Sequence, residues 1–142
     1  MRFWDASALV PLIVEESISS TMRTELSNDL ALAVWCLSPV EIWSAVARKR
    51  RQSILGSPDV KAARSRLEVL ASEWHEITEF GAVRRRAQRL LDDHSLRAAD
   101  AMQLAAALVL VSDRPEAFEF VTLDDRLAEA AEEEAFRIVI PS

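Results

Sequence analysis

The chain has 142 residues, half of them hydrophobic, which is enough for one domain with a sizeable core. Gly56 and Gly81 are its only glycines, so a Walker phosphate loop and a Gly-rich dinucleotide turn are excluded, since each needs closely spaced glycines. The net charge of −6 argues weakly against a plain nucleic-acid-binding protein. Residues 46–97, however, hold twelve basic and seven acidic side chains and could face a phosphate backbone.

The chain lacks the marks of a membrane or secreted protein. No apolar run approaches the roughly 18 to 20 residues of a membrane-spanning helix, and no basic start leads into an apolar leader. Cys36 is the single cysteine, which rules out an internal disulfide and a Cys-based metal site. We therefore expect one cytoplasmic domain over residues 1–142 with no membrane association.

Strands and helices are predicted to alternate along the chain. Apolar runs predict strands, and apolar residues at a spacing of three to four predict helices. The predicted strands cover residues 2–4, 30–37, 75–78, 118–123 and 137–140. The predicted helices cover residues 8–14, 18–28, 38–52, 80–91, 95–111 and 124–134, and a further helix starts at 57. This alternation favours an α/β fold, a parallel sheet with helices on both faces.

Two serines are predicted to start helices near acidic residues. Ser38 suits an N-cap because Glu41 follows three residues later, as in a capping box. Ser95 is predicted to cap a helix that contains Asp100 and is otherwise almost wholly apolar to Val111. Such a helix is expected to lie centrally and buried.

Four acidic residues are expected to share one site. Ligands of open parallel sheets bind beyond the carboxyl ends of the strands. Asp5 follows the first strand, Glu41 opens the helix after the second, and Asp124 follows the strand that ends at Leu123. Asp100 joins them if its helix packs on the sheet. Carboxylates this close stay ionised only with a compensating cation, and all-oxygen ligation suits Mg²⁺ or Mn²⁺. The pattern favours a phosphodiester hydrolase.

Structural roles remain open for each acid. Glu41 could simply complete a capping box, Asp124 could be an N-cap, and Asp5 could end a strand in an ordinary turn. Asp100 is costly to bury among alanines unless a group pairs with it, and Arg97 could be that partner. His94 and His75 are expected at the surface or at helix ends.

The motifs around these acids resemble those of the PIN-domain family, in particular its VapC-type toxin ribonucleases. The resemblance spans nearly the whole chain and rests on four segments in order. They are Asp5-Ala6-Ser7, Ser38-Pro39-Val40-Glu41, Leu96-Arg97-Ala98-Ala99-Asp100-Ala101 and Val121-Thr122-Leu123-Asp124. The chain departs from the family in having Ala135-Phe136 where a glycine often precedes the last strand.

The resemblance implies a three-layer α/β/α sandwich with four or five parallel strands and a metal-dependent endoribonuclease. Asp5 and Asp100 would ligate Mg²⁺ or Mn²⁺, and Glu41 and Asp124 would complete the catalytic acids directly or through water. Ser7 and Thr122 would orient Asp5 and the last acid. The resemblance also implies the toxin role in a type II toxin–antitoxin system, with an RNA substrate, a small antitoxin partner and a homodimer.

Other functions fit the sequence less well. A PIN-like binding or assembly module without turnover is the main alternative, although all four acids are present. A phosphoacceptor signalling domain would need a lysine near the end of the chain, and Lys49 and Lys61 are the only lysines. A haloacid-dehalogenase-type phosphatase would need Asp-x-Asp after the first strand, where the chain has Ser7.

Overall fold

The computed structural model describes residues 1–141, in which five strands alternate with seven α-helices. The strands are β1 Arg2–Trp4, β2 Leu32–Trp35, β3 His75–Ile77, β4 Glu119–Val121 and β5 Arg137–Val139. The helices are α1 Ala6–Ile13, α2 Ser19–Asn28, α3 Ser38–Arg51, α4 Ser57–Glu73, α5 Phe80–Asp93, α6 Ala98–Leu110 and α7 Asp125–Glu133. Over residues 1–141, no helix has the length and apolar character needed to cross a membrane.

The strands form one parallel sheet in the order β3-β2-β1-β4-β5. The central strand β1 pairs with β2 on one side and with β4 on the other, so that Phe3 lies between Ala33 and Phe120. After β1, the chain adds β2 and then β3 on one side of β1. It then crosses to the other side of β1, where it adds β4 and β5. The carboxyl ends of β2, β1 and β4 therefore meet around this reversal, which is the usual ligand position in such sheets.

Alternate residues along the strands pack into two separate cores, one on each face of the sheet. The sheet and the helices on its two faces form the predicted three layers. Phe3 and Phe120 point to the core that contains buried residues of α5, α6 and α7. Trp4 and Val121 point to the other core, built with α1, α2, α3 and α4. Side chains alternate between the faces of a strand, so a sheet covered on both sides is apolar throughout. The expected α/β/α sandwich with a parallel sheet is confirmed.

Some predicted ends were wrong because apolar residues continue past the hydrogen-bonded strands. The strand predicted over residues 30–37 is limited to Leu32–Trp35, and Leu30 and Leu37 are 71% and 40% exposed. Phe80 and Leu91, apolar residues at the two ends of the helix predicted over residues 80–91, are also exposed. Composition alone does not mark the point where a strand loses its neighbours.

The helix that carries Asp100 starts later than predicted. Ser95 does not cap it, since α6 begins at Ala98 and Arg97 occupies the cap position without a side-chain cap bond. His94 lies at the end of α5, one of the two positions expected for it. Its side chain is buried, and its ring nitrogens lie 3.0 Å from a Glu133 oxygen and 2.8 Å from a Glu134 oxygen. This contact ties the end of α5 to the end of α7.

Candidate active site

The structure places the four predicted acids at the carboxyl end of the three central strands. Asp5 directly follows β1, Glu41 lies in the first turn of α3 after β2, and Asp124 follows β4 and caps α7. Asp100 lies in the first turn of α6, which packs against the sheet and against α5 and α7. The sheet order brings the first three together, and the packing of α6 brings the fourth.

Asp5 is the most buried of the four acids, with 3% of its surface exposed. Its carboxylate accepts hydrogen bonds from the Ser7 hydroxyl at 2.8 Å and the Ser7 backbone N–H at 3.2 Å. Burial raises the pKa of Asp5 from 3.8 to about 6, because an isolated charge is poorly solvated there, and the bonds from Ser7 oppose that rise. Within residues 1–141, no cation forms an ion pair with it.

Ser7 and Thr122 link Asp5 to the loop that carries Asp124. The Ser7 hydroxyl accepts from the Leu123 N–H at 3.0 Å and lies 3.3 Å from the Thr122 hydroxyl. The Thr122 hydroxyl in turn accepts from the Asp124 N–H at 3.0 Å. One Asp124 oxygen accepts from the Leu127 N–H at 2.9 Å, so the N-cap role considered from sequence is present. Its second oxygen makes no hydrogen bond within residues 1–141 and is free for a ligand.

Glu41 does not form the predicted capping box. Leu37 precedes α3 without a side-chain cap, and the Ser38 hydroxyl lies within α3. Glu41 and Ser38 instead accept hydrogen bonds from the fully buried amide of Gln103, at 3.2 Å and 3.0 Å. Burial raises the pKa of Glu41 from 4.5 to about 7; the Gln103 bond opposes this, and the charges of Asp5 and Asp100 add to it.

Asp100 and Asp124 line an open cleft of about 340 Å³ together with Arg97 and Arg126. Burial raises the pKa of Asp100 above 3.8, the charge of Asp124 raises it further, and Arg97 acts to lower it. The alternative in which Arg97 pairs with Asp100 is not observed, because no ion pair joins their side chains in the described part of the chain. Three acids thus have raised pKa values, mainly because burial disfavours their charged forms, and neighbouring acids add to the rise for Glu41 and Asp100.

The acids would need water to complete a metal site. In residues 1–141, no three His, Cys, Asp or Glu side chains form a group that could hold an ion by themselves. Mg²⁺ commonly uses one or two protein carboxylates and keeps several waters, so Asp5 and Asp100 with water form a suitable donor set. The raised pKa of Asp5 supports this fit, because a cation would supply the charge that the buried carboxylate lacks. Zinc would favour nitrogen or sulfur ligands, which these acids do not supply.

Comparison with known proteins agrees with the fold. The family model of the PIN domain matches residues 2–133, so the chain belongs to the PIN-domain family. PIN domains are generally nucleases and typically use divalent metals. Curated proteins yield no match to this chain.

A solved structure similar to this chain is the crystal structure of FitAcB from Neisseria gonorrhoeae. The two share 16% sequence identity with a TM-score of 0.68, over 99% of this chain and 98% of that one. At this identity, the likeness shows the fold alone.

The sequence alone gave no role to Gln103 or to Arg126. Gln103 lies three residues after Asp100, which is one helical turn, and is the only polar residue among 101–111. A fully buried amide in such a stretch needs partners, and that signal could have marked it. Arg126 follows Asp124 by two residues, but its place in the cleft depends on how α6 and α7 pack.

Proposed function

We propose that this PIN domain is a Mg²⁺- or Mn²⁺-dependent endoribonuclease. One observation carries the proposal: Asp5, Glu41, Asp100 and Asp124 converge at one sheet edge, and the pKa values of the first three are raised. A site of this kind is electrostatically unfavourable by itself and favours a divalent cation. Family membership supports nuclease chemistry, and the carboxylates supply the oxygen ligands that suit a metal able to assist hydrolysis.

We assign Asp5 and Asp100 as metal ligands and Glu41 and Asp124 as acids that act directly or through water. A bound metal would activate water and neutralise charge that builds up on the phosphodiester. Ser7 holds Asp5 in one orientation through two hydrogen bonds. Thr122 fixes the backbone at Asp124. The raised pKa of Glu41 allows it to accept a proton near neutral pH.

We also propose that the protein is the toxin of a type II toxin–antitoxin system. This rests on the resemblance of the four acidic motifs to VapC-type ribonucleases and on family membership. It implies a cytoplasmic homodimer and a small antitoxin whose basic or apolar tail enters the acidic site. We expect a short open reading frame immediately upstream. Its product should copurify with this protein and abolish its activity. Undiminished RNA cleavage in the presence of that product would contradict the assignment.

The decisive experiment is RNA cleavage by the purified protein. We expect cleavage with Mg²⁺ or Mn²⁺, loss of cleavage with chelator, and a fall of at least about a hundredfold for Asp5→Asn. Asp92→Asn is the matched control, because Asp92 is exposed on α5 and lacks a hydrogen bond or ion pair over residues 1–141. Equal cleavage by Asp5→Asn and Asp92→Asn would refute the catalytic assignment. RNA binding without cleavage by the unmodified protein would favour a module without turnover.

A further inference from the structure

Two arginines line the same cleft as two of the acids. Arg97 directly precedes α6, three residues before Asp100, and Arg126 lies in the first turn of α7, two residues after Asp124. Both side chains are exposed. In the part of the chain that the structure describes, neither makes a side-chain hydrogen bond or an ion pair. Cations from two different helices therefore converge on the candidate active site with their donors free.

Several other arginines in the described part of the chain are paired with carboxylates. Arg86 forms two hydrogen bonds with Asp113, and Arg89 contacts both Asp93 and Glu134. Arg97 and Arg126 line a cleft with Asp100 and Asp124 but lie beyond ion-pair distance of them. A guanidinium has five N–H donors in a fixed planar fork that suits phosphate oxygens. These two forks remain available for a ligand.

The charges of the site indicate what that ligand is. With a divalent cation bound, all four acids would be ionised, and their four negative charges would exceed the charge of the cation by two. A phosphodiester would then be repelled, and the protein as a whole adds to the repulsion with its net charge of −6. Arg97 and Arg126 contribute the two positive charges that bring the site to neutrality. An anionic strand is therefore favoured on the side of the site where these two arginines lie.

We propose that Arg97 and Arg126 form a phosphate subsite that binds the RNA backbone next to the phosphodiester held at the acids. This inference rests on the proposed ribonuclease function and names the part of the site that binds the strand. Each guanidinium donates to phosphate oxygens, and neither takes part in bond cleavage. The contacts are to the backbone, so the subsite binds RNA without base preference.

Binding measurements in the Asp5→Asn background test the subsite without turnover. The affinity for a short fluorescent single-stranded RNA is measured by anisotropy in Mg²⁺ over a series of salt concentrations. The slope of log affinity against log salt is negative, and each lost phosphate contact reduces its magnitude by about 0.7 for single strands. We expect that decrease for Arg97→Gln and for Arg126→Gln, about 1.4 for both together, and roughly fivefold weaker binding for each at moderate salt.

Arg114→Gln is the matched control, because Arg114 is exposed beyond the far end of α6 and without an ion pair within residues 1–141. It should change neither slope nor affinity. In the active protein, Arg97→Gln and Arg126→Gln should raise KM and leave kcat within about threefold. Absence of RNA binding by the Asp5→Asn protein, or slopes equal to that of Arg114→Gln, would overturn the subsite. A protein that binds RNA through these arginines but never cleaves it would overturn the ribonuclease function and leave the subsite standing.

Discussion

The metal-free protein should lose stability as pH rises from about 4.5 to 7.5, and Asp5 should be a main cause. Its pKa in the folded protein is about 6, above the ordinary value of 3.8. The folded state therefore binds the proton more tightly than the unfolded state does. The associated stability is fully present below pH 3.8 and is lost as pH rises through 6. Glu41 acts in the same direction between 4.5 and about 7.

The size of this effect follows from the shift. A rise of about two pKa units at about 1.4 kcal/mol each corresponds to about 3 kcal/mol for the buried Asp5 carboxyl over its whole titration, of which about 2 kcal/mol is lost between pH 4.5 and 7.5. At about 2.1 cal/mol/K of unfolding entropy per residue, the loss of about 2 kcal/mol is a decrease in Tm of about 7 °C for a chain of this length. Glu41 is partly exposed, so water screens its charge and its share is smaller.

Asp5→Asn isolates the contribution of this residue. Asparagine remains neutral at every pH in the window and can still accept from the Ser7 hydroxyl, but its amide group faces the Ser7 N–H and loses that bond. We expect the free energy of unfolding of the variant to exceed that of the unmodified chain by about 1 to 2 kcal/mol at pH 7.5. We expect no such difference at pH 4.5. Glu15, Asp29 and Asp113 have lowered pKa values, so they affect stability at lower pH.

Thermal and urea unfolding, in chelator and over this pH range, measure the effect. Adding Mg²⁺ or Mn²⁺ should raise the Tm of the unmodified protein more at pH 7.5 than at pH 5, because the metal and protons compete for the same carboxylates. The Asp5→Asn variant should respond less. If the difference in stability between the two proteins does not change with pH, the buried charge of Asp5 is not the cause of the loss of stability. An equal metal response in both would refute Asp5 as a ligand.

Two further predictions concern residues that support the acids. Gln103→Met should lower the free energy of unfolding in urea by about 2 to 3 kcal/mol, because it leaves the buried Ser38 hydroxyl unpaired. Adding Ser38→Ala should recover part of that loss. If the effects of the two substitutions are purely additive, the hydrogen bond between these side chains is contradicted. Ser7→Ala should cost about 2 kcal/mol because the Asp5 carboxylate and the Leu123 N–H each lose a partner, and Ser7→Thr should restore part of it. A loss of less than about 0.5 kcal/mol for Ser7→Ala would count against the network.

The layers of the fold could be predicted because the pattern of apolar residues is a local property. Leu32–Trp35 is buried along its whole length, as an apolar run in a parallel sheet requires. The exact ends could not be predicted in the same way. Leu30 and Leu37 are as apolar as their neighbours, and only the register with β1 and β3 shows where pairing stops.

Helix caps were predicted less well because local sequence offered more than one partner. Ser38 with Glu41 has the spacing of a capping box, yet Gln103, more than sixty residues later, binds both side chains. Ser95 has the right type for a cap, but α6 begins at Ala98. Tertiary contacts decided both cases, and a single local window does not contain them.

Positions of acids that follow strands were accessible from sequence, whereas contacts between helices were not. Asp5 and Asp124 meet because β1 pairs with β4, and parallel strands present their carboxyl ends at one edge. Glu41 meets Asp100 through α6, where Gln103 lies one turn after Asp100 and donates to Glu41. The same helix thus carries one acid and orients another. Any change that rotates or shifts α6 must alter both acids together, and the geometry of the site depends on the packing of α6 as much as on the sheet.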